Sequence, residues 1–164
     1  MNASTVKLNR VAVATVLLGW LLAGLTACAT AAASPAIHHD SKPEDVVTLQ
    51  FALVNTGMAS GDFSTLAQVF APDATLTKSS PSGVTTVYRG LPAITAYYQG
   101  LRGSFPQYRW TTDSMRTLSE SVVLAYEHAG SPPLSVAGRC VHVIVVHAGK
   151  IVSYDWAVFY PGKP

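Results

Sequence analysis

Residues 136–160 read VAGRCVHVIVVHAGKIVSYDWAVFY. Two apolar runs rich in Val, Ile, Tyr and Trp flank a break at His147-Ala148-Gly149. β-Branched and aromatic residues suit a pleated, half-buried surface, so the stretch reads as a β-hairpin. A two-residue turn needs positive φ at both central positions, for which Ala148 is a poor choice. The expected connection is therefore a three-residue loop with Gly149 in the left-handed position and a bulge beside it. That loop pairs residue 146 with 150, His142 with Tyr154 and Cys140 with Trp156. Side chains alternate along a strand, so Cys140, His142, Ile144 and Val146 share one side with Tyr154 and Trp156. Arg139, Val141, Val143 and Val145 take the other side with Ser153, Asp155 and Ala157. A two-residue turn would flip every assignment in one strand.

Two further strands precede the hairpin, at about 107–117 and 121–129, and shorter extended runs lie at 74–78 and 84–89. Ahead of and between them the period changes. From Ser41, apolar residues recur three and four apart through Met58, as on a helix face. Ser41 and Glu44 have capping-box spacing, with Pro43 in the first turn and Gly61 as the stop. Asp62 is placed to cap a short second helix, Pro72-Asp73 to turn the chain, and Pro92 to open a third helix ending in glycines. Three helices before a long meander give an α+β fold, with helices on one face of a curved antiparallel sheet.

The other end of the chain reads as an address. Residues 1–10 carry Lys7 and Arg10, and residues 11–25, VAVATVLLGWLLAGL, carry no charge. A basic segment before an apolar one is the pattern of a secretory signal. Fifteen residues rise about 22 Å as a helix, short of the roughly 30 Å hydrocarbon core that a transmembrane anchor must cross. Leu25-Thr26-Ala27-Cys28 resembles the bacterial lipobox. The resemblance implies cleavage after residue 27, lipid on Cys28, and attachment to a membrane outside the cytoplasm, in the periplasm or at the cell surface. Cleavage by ordinary signal peptidase would instead secrete the chain. Residues 28–42 then read as the lipidated cysteine and a flexible tether, and 43–161 as the domain. His38-His39 in that tether reads as solvated linker.

The chain has 164 residues, 49% hydrophobic and 12% charged, with 11 basic and 9 acidic side chains. That excludes a disordered chain and suits one domain. Without Lys7 and Arg10 the bases equal the acids, so the mature chain carries no footprint for nucleic acid, whose affinity rests on Lys and Arg at phosphates. The two cysteines, Cys28 and Cys140, are too few for a disulfide framework. No phosphate loop, nucleophile elbow or metal-spaced cluster is present, so no cofactor and no metal are expected.

Four motifs stand in order: G-D-F at 61–63, V-F-A-P-D-A-T-L at 69–76, Y-R-G-L-P-A-I-T-A-Y-Y at 88–98 and G-K-I-V at 149–152. Together they resemble the nuclear transport factor 2-like superfamily in its SnoaL-like branch, across residues 43–161. The resemblance implies a cone-shaped curved antiparallel sheet wrapped around three N-terminal helices, an apolar pocket at the wide end, and a homodimer through the outer sheet face. Its members include ketosteroid isomerases, polyketide cyclases, dehydratases and proteins without catalysis, so fold alone does not give function.

Aligned with the isomerases, His142 falls near their oxyanion-stabilising acid, Tyr98 on a supporting tyrosine, and Tyr154 and Trp156 on pocket positions. Lys78 stands where the general-base aspartate belongs, and Val54 where the oxyanion tyrosine belongs. Ketosteroid isomerase activity is therefore disfavoured, and Lys78 reads as a solvated surface lysine. Val54, Tyr98, Trp110, Cys140, His142, Tyr154 and Trp156 are the expected ligand-binding residues. Cys140 reads as an inert buried thiol. Of Glu127 and His128, adjacent on one strand, only one can face the pocket. These residues are consistent with three functions: a lipoprotein that binds a small, largely apolar ligand; a lyase or isomerase with His142 as general acid or base; and a non-catalytic dimerising domain. Two convergent titratable groups would favour catalysis, and His142 alone would suit a binder.

Overall fold

The computed structural model describes residues 37–131 and 134–159. The signal segment, Cys28 and most of the expected tether lie outside the described residues. The elements run α1 (Pro43–Ser60), a 3-10 turn (Ser64–Gln68), β1 (Phe70–Ser79), β2 (Thr85–Arg89), α2 (Leu91–Ser104), β3 (Arg109–Ser119), β4 (Val122–Ser131), β5 (Leu134–His147) and β6 (Lys150–Phe159).

Pro43 presets the first turn of α1, and Glu44 and Asp45 sit where the helix dipole favours negative charge. The expected capping box does not form. Lys42 is the cap residue without a side-chain bond, and Ser41 Oγ instead accepts the His38 N–H at 2.9 Å. Ser41 is drawn into the turn before the helix, where Ile37 packs on the core. Gly61 ends α1 in the left-handed region at φ 89°. Asp62 accepts the Ser64 N–H at 2.8 Å, but it is not the expected cap: Phe63 holds the cap position without a side-chain bond, and the element that follows is a 3-10 turn of five residues. Asn55 joins α1 to β3 by a two-way bond, accepting from Trp110 N at 3.0 Å and donating to Trp110 O at 2.9 Å. Arg102 of α2 donates to Met58 O at 3.1 Å and ties the two helices together.

The six strands form one curved, open sheet in the order β2-β1-β6-β5-β4-β3. The α+β expectation holds, with two corrections. The helical layer is two α-helices and a 3-10 turn among the described residues. The sheet is also mixed, because β1 runs parallel to β6. The long excursion through α2 and the β3–β5 meander separates these two strands, so no tight turn forces them to reverse. Pro72-Asp73 is not a turn. Both residues lie exposed inside β1, where the register with β6 shifts between Phe70 and Thr75. Proline lacks the N–H that a regular ladder uses, and a bulge accommodates it.

The hairpin departs from its expected loop. His147 pairs with Lys150, leaving a two-residue turn with Ala148 at φ 50° and Gly149 at φ 70°. Tertiary contacts hold this turn against the preference of alanine. Lys150 Nζ donates to Ala67 O at 3.0 Å and Gln68 O at 2.8 Å, and Ile151 N donates to Val69 O at 2.7 Å. A side chain on Gly149 would meet the His38 carbonyl. Val152 then bulges, so Val146 faces Ile151 and Val145 faces Ser153. Turn and bulge each shift the register by one residue. His142 therefore faces Trp156 rather than Tyr154, and Cys140 faces Val158 rather than Trp156. The two shifts together restore the parity. Cys140, His142, Ile144, Val146, Tyr154 and Trp156 are all buried beneath the helices, while Val143 and Asp155 are exposed.

Candidate functional site

The register lays three inward rows across the sheet. The middle row runs Lys78, Trp156, His142, Ala125, Met115; one flank runs Leu76, Tyr154, Ile144, Val123, Thr117; the other runs Val158, Cys140, Glu127, Thr112. Glu127 is thus the inward member of its pair and is 1% exposed. His128 points out and holds Asp113 at 2.6 Å. Asp113 is the extra residue of a β3 bulge.

These rows bring His142 and Glu127 together without exposure to water. His142 Nε2 and Glu127 Oε2 lie 2.9 Å apart, both side chains at 0% exposure. The contact is close but lacks the alignment of a hydrogen bond. Tyr154 Oη lies 2.8 Å from His142 Nδ1, and Tyr98 lies within electrostatic reach of Tyr154. Gln50 Nε2 donates to Tyr98 Oη at 3.5 Å, and Thr112 Oγ1 to Glu127 Oε1 at 3.4 Å, both long bonds. Phe51 of α1 stands edge-on to the imidazole, with centroids 5.6 Å apart. Burial raises the Tyr98 and Tyr154 phenols, and the Glu127 charge adds to both. They stay neutral, and each remains a donor.

The interior holds more polar groups than it pairs. Gln50 Oε1, Tyr97 Oη, Glu127 Oε2, His142 Nε2 and Trp156 Nε1 are buried without a hydrogen-bond partner among the described residues. A buried group left in that state costs about 1–3 kcal/mol. Most of the surrounding wall is apolar: Val54 on α1 is buried, and Trp110 packs against Tyr98 with centroids 6.1 Å apart. An apolar lining with a few convergent polar groups is the usual make-up of a small-molecule site, and two hollows reach this interior, one at Glu127 and Cys140 and one at Tyr97.

The structure places all seven expected residues in the buried interior. Of these, His142 and Tyr154 are hydrogen-bonded to each other, Tyr98 accepts from Gln50, and Trp156 packs on the imidazole at 5.8 Å. Val54 and Trp110 are core wall. Burial, and after it the nearby Glu127 charge, pushes the Cys140 thiol up to about 12, with Lys78 acting weakly the other way. Sequence reasoning missed Gln50, Phe51, Tyr97 and the inward turn of Glu127. Lys78 is corrected: it is half-buried, with Nζ 5.3 Å from the Trp156 centroid and 6.0 Å from that of Tyr97. Its strand register places the ammonium itself over the faces of these rings. An open groove of about 590 Å³ runs between α2 and β2 and has Tyr97 and Tyr88 in its wall. A second hollow of about 500 Å³ is lined by Asp113, Tyr126, His128 and Arg139 with Glu127 and Cys140.

A family model of the SnoaL-like domain matches residues 52–154, well over half of the chain. The chain belongs to that family. No curated protein sequence matches it. Among solved structures, a SnoaL-like family protein of Agrobacterium tumefaciens superposes with a TM-score of 0.59 at 15% identity, covering 71% of this chain and 97% of its own. A SnoaL-like protein of Jannaschia, provisionally assigned as a polyketide cyclase, gives 0.59 at 13% identity, with 80% and 97% covered. IdmH of Streptomyces antibioticus, also provisionally a polyketide cyclase, gives 0.55 at 19% identity, with 72% and 92% covered. These likenesses establish the fold alone.

Proposed function

We propose that the chamber under the helices binds a small, largely apolar molecule and performs acid–base chemistry on it, as a lyase or isomerase of the polyketide cyclase or dehydratase kind. The observation that carries this reading is the buried Glu127–His142 contact at 2.9 Å. An imidazole is able both to take and to give a proton, and a carboxylate beside it can fix the orientation of the ring. Tyr98 and Tyr154, kept neutral by burial, supply donors for an oxygen that gains charge as a proton leaves carbon. Because Nε2 and Oε2 lack an aligned bond to each other, a bound hydroxyl could satisfy both, accepting from Nε2–H and donating to Oε2. The ketosteroid isomerase arrangement stays disfavoured, since Lys78 and Val54 replace its base and its donor.

The test is hydrogen–deuterium exchange at carbon. Small ketones and aromatic polyketide fragments are incubated in D2O with wild type, His142→Gln and Glu127→Gln. Wild-type exchange lost at least 100-fold in both variants, with ligand binding retained, supports the reading. Full exchange or turnover in His142→Gln removes it.

A second reading, a binder without catalysis, is favoured by one observation: Tyr154 already occupies Nδ1 of a fully buried ring. Binding without exchange in wild type would select it.

The location is proposed from the sequence. Lys7, Arg10, the uncharged run 11–25 and the lipobox-like LTAC support a signal peptide of 27 residues and a lipid on Cys28. Two or more acyl chains anchor far better than one. No helix of the described residues is long and apolar enough to cross a membrane. Cys28→Ser should leave an unprocessed, unlipidated precursor, read by mass spectrometry of the membrane fraction; unchanged processing would refute the lipoprotein. Homodimerisation through the outer sheet face is likewise proposed, supported by exposed Tyr126 and Val143 there.

A further inference from the structure

Three of the groups at the β1 side of the chamber have donors and lack acceptors. Trp156 is 6% exposed, and its Nε1–H can only donate; it has no partner among the described residues. Tyr97 Oη is buried and equally unpaired. Lys78 lies over both rings, and no carboxylate stands within ion-pair distance of it among the described residues. An ammonium carries three donors and no acceptor. The Tyr97 and Trp156 rings meet edge to face at 6.4 Å, so the three side chains share one corner. The only acid in the three inward rows, Glu127, is on the far side of Cys140 and is engaged by His142.

We propose that Lys78, Tyr97 and Trp156 form an anion-binding corner of the chamber that receives the carboxylate of a small aromatic or otherwise apolar acid. The assignment rests on the chamber being a small-molecule site and adds the class of its ligand. Geometry supports it in two ways. Lys78 and His142 belong to one row and flank Trp156, two strand spacings or roughly 10 Å apart. A one- or two-ring acid held by its carboxylate at Lys78 would therefore present its other end to His142 and Glu127. Tyr97 also has its ring in the wall of the open groove along α2, so the corner lies next to solvent. Neutral Tyr97 is assured by burial, which raises its phenol well above the ordinary value.

The test is calorimetric binding of trans-cinnamate and of its methyl ester to the full chain in detergent at pH 7. Wild type should favour the acid about tenfold, equivalent to about 1.4 kcal/mol. Lys78→Met should bring the two within twofold, leave the ester's affinity unchanged, and keep the folded circular dichroism. Lys42→Met, an exposed lysine before α1, should keep the tenfold preference. Ester binding in wild type with no preference for the acid overturns the anion corner alone. Persistence of the preference in Lys78→Met also overturns it. Binding of neither compound overturns the chamber reading, and the corner with it.

Discussion

Cys140 shows how a side chain's chemistry is set by its row rather than its type. It is 1% exposed, with Glu127 across one strand boundary and Lys78 acting from the other direction. Burial is the largest effect, and the thiol rises to about 12. The thiolate is the reactive form, so at pH 7.5 Cys140 should alkylate roughly a thousandfold more slowly than a free cysteine at its ordinary value of 9.0. Peptide mapping after iodoacetamide treatment, with and without denaturant, checks this. Labelling of the native protein at the denatured rate would show that the thiol is open and activated. The adjacent middle row and α1 explain His142: its neighbours Trp156 and Phe51 exclude water from the ring, so protons reach it through Tyr154, Glu127 or a ligand.

At the scale of elements, two glycine-like positions control the fold. Ala148 is held at φ 50° by the contacts of Lys150, Ile151 and Gly149 around it. A left-handed alanine costs roughly 1 kcal/mol, which glycine would not incur. Ala148→Gly should therefore raise stability by about 0.5–1 kcal/mol, read as a higher urea midpoint at unchanged slope. A lower midpoint would mean that the turn is not of this type. Gly57 plays the opposite part: a Cβ there would run into the ring of Phe63, itself 2% exposed. Helix propensity favours Gly57→Ala by up to about 1 kcal/mol, but overpacking of a fixed aromatic ring costs about 1–3 kcal/mol. The variant should lose stability by about 1–2 kcal/mol on thermal or urea unfolding; a gain would show that Phe63 can move aside at no cost.

For the molecule as a whole, the buried phenols and thiol set the alkaline limit. Tyr97, Tyr98, Tyr154 and Cys140 all keep their protons in the folded state above their ordinary values of 10.0 and 9.0. The unfolded chain sheds these protons first as pH rises, so it binds fewer protons than the native state, and stability falls with pH. The contribution is complete below about pH 8. It should decline from pH 9 upward by roughly 1.4 kcal/mol per pH unit for each proton that only the folded state retains. Urea unfolding at pH 8, 9, 10 and 11 measures it; a flat profile would mean that these groups ionise in place.

Much of this architecture was legible along the chain because it rests on local periods. Helical spacing from Val46 to Met58 and strand alternation from Cys140 to Val146 are properties of consecutive residues, and folding preserved both. The hairpin reading reached the correct faces by a wrong route, since the unforeseen tight turn and the bulge at Val152 cancel. Glu127 was not legible. On β4 the larger apolar residues Leu124 and Tyr126 fall on the outward parity, and the small Ala125 on the inward one, so composition favours neither face. The bulge at Asp113 and the two flanking strands decide it. Lys78 and Tyr97 were missed for a related reason: a parallel partner 78 residues away in sequence places Trp156 beneath the ammonium. Local periodicity is written in neighbours and survives without the rest of the molecule. The meeting of Glu127, His142, Tyr154 and Lys78 depends on register between distant strands, and bulges, pins and packing fix that register only once the chain has closed.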